Sequence, residues 1–291
     1  MRFQRTSDLV EAFISDCRYR NLADKVISEY KRLLSDIEER HGDLMSVDRQ
    51  KVKEYVLERL NEGLSPYTVN HYIKAMKVFY SFLIREDVVD DNPMAKLIKI
   101  REPKRIKPVL DENKVSKLIS TIPVKGLFNV RDKAMITLLW DTAIRLSELL
   151  TIELANLNMQ FKTIKILGKG NKERIVPFGN KTKREILKYL KYRNEIESQF
   201  LFCTKGGMLI STRNFQRTVR RLGQKIGVKV SPHLLRHSAA TFLAKHEMPA
   251  QHIQILLGHS SLSTTQRYIN QIVNQEGLQI SHRRLSPADR L

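Results

Sequence analysis

Cysteine is nearly missing from this chain of 291 residues: Cys17 and Cys203 are the only two, too few for a disulfide framework. A reducing, cytoplasmic setting suits that composition. No apolar run approaches the length needed to span a bilayer. The opening Met1-Arg2-Phe3-Gln4-Arg5 leads straight into an acidic amphipathic pattern, so no secretory leader is expected. Acidic side chains are scarce in residues 101–291, where there are 14 and none cluster. That scarcity argues against a nuclease built on paired carboxylates around Mg²⁺. Several catalytic signatures are missing as well. There is no GxSxG elbow and no GxxxxGK[ST] phosphate loop. His233 and His237 have the i, i+4 spacing of zinc ligands, but position 234 is Leu where an HExxH motif needs Glu. The expectation is a protein without metal or other cofactor.

What is present is positive charge, and it is segregated. The chain has 51 Lys+Arg against 31 Asp+Glu, a net of +20. The first hundred residues balance, with 17 of each, so the whole excess falls on residues 101–291. An excess confined to one part points to a polyanion, most simply nucleic acid.

The length allows two cores, and the pattern divides accordingly. Residues 1–100 read as helices throughout, with apolar stripes Leu9-Val10-Phe13-Ile14, Val26-Tyr30-Leu33-Leu34-Ile37, Val52-Tyr55-Val56-Leu60 and Val69-Tyr72-Ile73-Met76-Phe79-Tyr80-Leu83. Ser46 is the expected cap of the third helix, and Ser65-Pro66 starts the fourth. Lys74 and Lys77 flank the fourth stripe, either reaching phosphates or forming a solvated face. Asn92-Pro93 breaks the pattern, and a short helical piece follows. Residues 101–110 then form a basic linker that includes Lys104 and Arg105, suited to crossing a DNA backbone.

Residues 111–291 read as a second, mostly helical domain with a small sheet. Asp111 caps a helix through Ile119, and Val130–Asp141 is an apolar helical run holding the single Trp, Trp140. Arg145 falls between two helical runs beside Ile144 and Leu146. It is either paired with Glu148 or held for a ligand phosphate. Phe161–Leu167 and Arg174–Pro177 alternate as strands around a Gly168–Glu173 turn that carries Lys169 and Lys172. Phe200–Thr204 reads as a further short strand. Thr212–Ile226 is a basic helix with Arg213, Arg217, Arg220 and Arg221 on one face, a self-repelling array unless phosphate neutralises it. Ser231-Pro232 starts a helix that puts His233 and Arg236 on one face; Gly258-His259 ends the next helical run, and Tyr268 follows.

Arg145, Lys169, His233, Arg236, His259 and Tyr268 therefore form a set with a chemistry. Arg forks match the non-bridging oxygens of a phosphodiester. Pre-placed cations stabilise the charge that grows as phosphorus becomes five-coordinate. Lys and His move protons, and Tyr can attack to form a covalent phosphoryl-enzyme.

The matching pieces are Thr142-Ala-Ile-Arg-Leu-Ser-Glu-Leu149, Gly168-Lys-Gly-Asn-Lys-Glu-Arg174 with Val176-Pro177, Ser231-Pro-His-Leu-Leu-Arg-His237 and Leu256-Leu-Gly-His-Ser-Ser-Leu-Ser-Thr-Thr-Gln-Arg-Tyr268. In that order they resemble the tyrosine recombinase (phage integrase) family, most closely its Xer group. The resemblance implies a mainly α protein: an all-α, SAM-like N-terminal core-binding domain and a mixed, mostly helical catalytic domain with a small antiparallel sheet. By the same resemblance Arg145 and Arg236 clamp the scissile phosphate, Lys169 is the general acid, and His233 assists proton transfer. His259 would hydrogen-bond a phosphate oxygen, Tyr268 would form a 3′-phosphotyrosine, and Glu148 would position the site. The partners it implies are double-stranded DNA with two short half-sites and three further copies of the chain. The copies would form a tetramer on two DNA sites, monomeric or dimeric when free, with a helix at 272–280 passed between neighbours. It implies resolution of chromosome dimers, hence a link to chromosome partition and cell division. Integration or resolution for a mobile element and type IB topoisomerase-like relaxation share the residue set. One departure is Ala143, where the family usually has Gly; it should slightly alter the turn that places Arg145.

Overall fold

A computed structural model describes residues 6–103, 108–168 and 172–259. The chain divides into two compact units, Met1–Arg105 and Ile106–Leu291. It is mainly helical, with one small antiparallel sheet.

The first unit contains α1 (Thr6–Tyr19), α2 (Asp24–His41), α3 (Arg49–Asn61) and α4 (Pro66–Arg85). Their apolar stripes face one another because residues three and four apart share a helix face, with Ile27 rather than the exposed Val26 starting the buried stripe of α2. Phe13 of α1 is fully buried and meets Tyr30, Phe79 and Phe82 at ring separations of 5.5–5.7 Å. Ser65 caps α4 by accepting from the Thr68 N–H, with Pro66 in the first turn. The cap of α3 is Asp48, which accepts from the Lys51 N–H; Ser46 instead closes a 3₁₀ turn, Leu44–Ser46. A carboxylate one residue ahead of the helix makes the better acceptor. After Pro93 the chain forms turns rather than a helix. Buried Asn70 then holds the outgoing strand of chain: its Nδ2 donates to the Ile100 carbonyl at 3.0 Å and to Glu102, while its Oδ1 accepts from the Ile100 N–H.

The second unit contains α5 (Glu112–Ser120), α6 (Leu127–Thr142), α7 (Leu146–Leu150), β1 (Leu157–Asn158), β2 (Thr163–Leu167), β3 (Glu173–Pro177), α8 (Asn180–Arg193), α9 (Thr212–Lys225), α10 (Pro232–Lys245) and α11 (Ala250–Leu257). The strands lie in chain order, and β2 pairs antiparallel with β3 in the register Ile164↔Val176 and Ile166↔Arg174. Phe200–Thr204 does not form a strand. It makes two isolated bridges, Glu153↔Phe200 and Cys203↔Leu209, because the buried Arg193 guanidinium takes the carbonyls of Ser198, Phe200 and Leu201. Helix α6 is buried continuously from Ala134 to Leu139 and serves as the central post of the unit.

The join between α6 and α7 aims Arg145. Ala143 adopts the left-handed conformation, φ 51° and ψ 26°, which glycine takes without penalty. Its methyl group is accommodated in a small apolar cluster with Ala239, Ala240, Ile253 and Leu257. Glycine is therefore dispensable here because the Cβ has somewhere to pack.

Candidate active site

Glu148 is the centre of the site. It lies at the third position of α7, its side chain only 4% exposed. Burial alone would push its carboxyl up. The Arg174 hydrogen bonds, the Arg145 backbone N–H and the neighbouring guanidinium charges outweigh that and hold it below the usual carboxylate range. Arg145 donates to it twice, from its backbone N–H at 2.7 Å and from Nη1 at 2.9 Å. Arg174 of β3 forks onto both oxygens, at 3.0 and 2.8 Å. Arg236 of α10 stands off, its Nη1 4.0 Å from Oε2.

The same three guanidiniums converge on the end of α11. The last carbonyls of a helix lack internal partners and carry the negative end of its dipole. Arg174 Nε donates to the Leu256 carbonyl at 3.2 Å, Arg236 Nη2 to Leu257 at 2.9 Å and Arg145 Nη2 to Gly258 at 3.1 Å. Gly258 is left-handed, and the His259 N–H returns to the Gln254 carbonyl, a glycine-terminated helix end. His259 is thus delivered directly beside the arginines.

Desolvation, then the positive fields of Arg236, Arg145 and Arg174, lower the His259 imidazole to about 4 despite the opposing Glu148 charge. The ring is neutral near pH 7. Arg236 Nη2 lies 3.3 Å from Nε2, and a guanidinium only donates, so Nε2 accepts and the ring proton belongs on Nδ1. Among the described residues named here, three guanidiniums face one carboxylate and a neutral imidazole, a local charge of +2. Arg236 and Arg174 side chains are 6% and 11% exposed, whereas Arg145 is 35% exposed and the most open to an incoming anion. A phosphodiester matches that charge and geometry.

Of the residues expected from the sequence, Arg145, Glu148, Arg236 and His259 come together. His233 sits on the first turn of α10, capped by Ser231, which accepts from the Leu234 N–H at 3.1 Å. It is exposed and lines a cleft of about 510 Å³ with Arg220, Gln224, Lys229 and His237. Lys169, Tyr268, Lys104, Arg105 and the 272–280 helix lie outside the described residues. Lys172, Arg213, Arg217, Arg220 and Arg221 are exposed, and α9 buries Phe215, Val219 and Leu222 on its other face. Lys74 is exposed, but Lys77 differs: its ammonium binds the Ala95 and Leu97 carbonyls at 3.2 and 2.7 Å, tying down the turns after Pro93.

Arg174 belongs to the site although the sequence motif that contains it does not mark its role. A signal was available. With Val176 facing the core, strand alternation turns Arg174 inward and Ile175 outward, and Ile175 is 67% exposed. An inward arginine requires a buried anion.

Residues 108–275 match the Phage integrase family, and residues 10–87 match its N-terminal SAM-like domain. The chain belongs to the phage integrase family. Tyrosine recombinase XerD of Pasteurella multocida (strain Pm70) is 30% identical over 296 residues, spanning 97% of this chain and 99% of XerD. The activity of this tyrosine recombinase is site-specific recombination, a strand-transfer reaction on DNA. Two solved structures share the fold. The Tn1549 transposon integrase in complex with transposon right end DNA has a TM-score of 0.80 at 19% identity, covering 96% of this chain and 99% of that one. XerH bound to palindromic difH substrate has a TM-score of 0.76 at 20% identity, covering 99% and 86%.

Proposed function

We propose that this recombinase is a Xer-type enzyme that resolves chromosome dimers in the cytoplasm. The full-length likeness to XerD favours this over a mobile-element integrase, since the transposon integrase shares the fold at 19% identity. In this reading residues 1–100 are a core-binding domain, 101–110 a DNA-crossing linker and 111–291 the catalytic domain. The substrate is a duplex with two half-sites, held by four copies on two sites. No helix among the described residues is long and apolar enough to cross a membrane.

The observation that carries the chemistry is the convergence of Arg145, Arg236 and neutral His259 around Glu148 and the α11 terminus. Arg145 and Arg236 bind the non-bridging oxygens of the scissile phosphate. His259 donates Nδ1–H to one of them, which a neutral ring does without adding a proton equilibrium near pH 7. The Tyr268 oxygen attacks phosphorus and loses its proton, with His233 assisting. The 5′-oxygen leaves with a proton from Lys169, giving a 3′-phosphotyrosine and a free 5′-hydroxyl. Attack by a partner strand's 5′-hydroxyl reverses these steps and joins new ends. The phosphodiester energy is conserved, so neither metal nor ATP is consumed.

The decisive experiment is capture of covalent protein–DNA adducts on nicked duplexes from the host chromosome, with the linked ends sequenced. Wild-type protein should yield adducts at one chromosomal site, and Tyr268→Phe should bind the same DNA and yield none. Adducts that survive Tyr268→Phe would remove Tyr268 as nucleophile.

A further inference from the structure

Arg174 is the one guanidinium at the site that the reaction above does not use. Its three nitrogens are all engaged: Nη1 and Nη2 on the two Glu148 oxygens at 3.0 and 2.8 Å, and Nε on the Leu256 carbonyl at 3.2 Å. Its planar head is also wedged between two glycines. A Cβ on Gly258 would stand 2.8 Å from Nη1 and 2.9 Å from Cζ, and one on Gly168 would stand 3.2 Å from Nη1. Gly168 immediately precedes Lys169, and Gly258 immediately precedes His259.

We propose that Arg174 is a positioning residue for strand transfer, clamping the backbone beside Lys169 to the backbone beside His259 while occupying Glu148. The inference rests on the functional reading above and deepens it. The Arg174 fork and the two Arg145 donors together fill the two acceptor sites on each Glu148 oxygen, so none is left toward Arg236, whose Nη1 remains 4.0 Å away. With Arg174 removed, the carboxylate draws Arg145 and Arg236 inward, away from the phosphate. The Leu256 carbonyl loses its donor, and the helix end carrying His259 loosens. An arginine is required because the role needs three donors in one plane, two parallel and one at the side. Lysine offers one point charge and fills no such slot.

The test uses the full chain in two variants, Arg174→Lys and Arg174→Gln, with folding checked by Trp140 fluorescence. On nicked duplex carrying the site captured by wild-type protein, Arg174→Lys should bind with Kd within about twofold. It should form the Tyr268 adduct roughly 10- to 10²-fold more slowly at saturating DNA, the scale of a small misplacement of reacting groups. A wild-type adduct rate, or a loss residing wholly in Kd, would overturn the proposal. A second reading needs no DNA. Titration of the His259 ring followed by NMR should show its midpoint rise in Arg174→Gln, because a cation is lost and the Glu148 charge facing the ring is freed, with Arg145 and Arg236 still present. An unchanged midpoint overturns the clamp. If wild-type protein forms no adduct at all, it is the functional reading that fails, and the ring titration still decides the placement of Arg174.

Discussion

Replacing Glu148 by Gln isolates what the buried carboxylate does for the fold. The change is isosteric, yet it removes the charge facing three guanidiniums and puts an NH₂ where donors from Arg145 and Arg174 now point. Deleting one member of a buried ion-paired cluster typically costs about 3–5 kcal/mol, because the remaining charges stay buried and uncompensated. Trp140 is the only tryptophan and lies in α6, so its fluorescence in urea follows the unit that contains the site. With a slope of about 2 kcal/mol per molar urea, the midpoint should fall by roughly 1.5–2.5 M at pH 7. The pH dependence has a defined sign. The Glu148 carboxyl is depressed in the folded state, so its contribution is complete above the unfolded value near 4.5 and is lost as pH falls through the folded value. The gap between wild type and variant should therefore be constant above about pH 5.5 and narrow below 4.5. An unchanged midpoint at pH 7 would refute the view that this carboxylate organises the arginines.

Gly258→Ala should be destabilising by about 1–3 kcal/mol on the same fluorescence signal, since the new methyl meets a left-handed backbone and the Arg174 head at once. A variant as stable as wild type would mean that the guanidinium moves aside freely. DNA affinity should fall steeply with salt, log Kd changing with log salt by about 0.9 per phosphate contacted. Replacing Arg213, Arg217 and Arg220 together on exposed α9 should flatten that slope by roughly 2–3 if they touch phosphates, and an unaltered slope would assign them to solvent.

Much of the architecture was legible because helices and strands write themselves locally. The four apolar stripes of residues 1–100, the Ser65-Pro66 and Ser231-Pro232 starts and the strand alternation around Gly168–Glu173 all depend on neighbours within a few positions. The boundaries that slipped, such as Asp48 for Ser46 as cap, were choices between acceptors two positions apart. The strand expected at Phe200–Thr204 failed because Arg193, at the end of the preceding helix, took the carbonyls of Phe200 and Leu201. Lys77 was ambiguous for the same reason, its carbonyl partners lying 18 and 20 residues away.

The sequence alone determined that the excess of positive charge lies in residues 101–291 and which residue types could handle a phosphodiester. Tertiary structure decided how they are held. Arg145 left open whether it served Glu148 or a ligand, and it meets Glu148 and Gly258 together, the latter 113 residues away. Strand alternation turns Arg174 inward, but only packing shows that the anion it meets is Glu148, 26 residues earlier. The neutrality of His259 likewise follows from burial beside cations brought from α7, β3 and α10. Periodicity reports which face a side chain occupies; the fields and hydrogen bonds that set its charge and direction depend on distances that only packing creates.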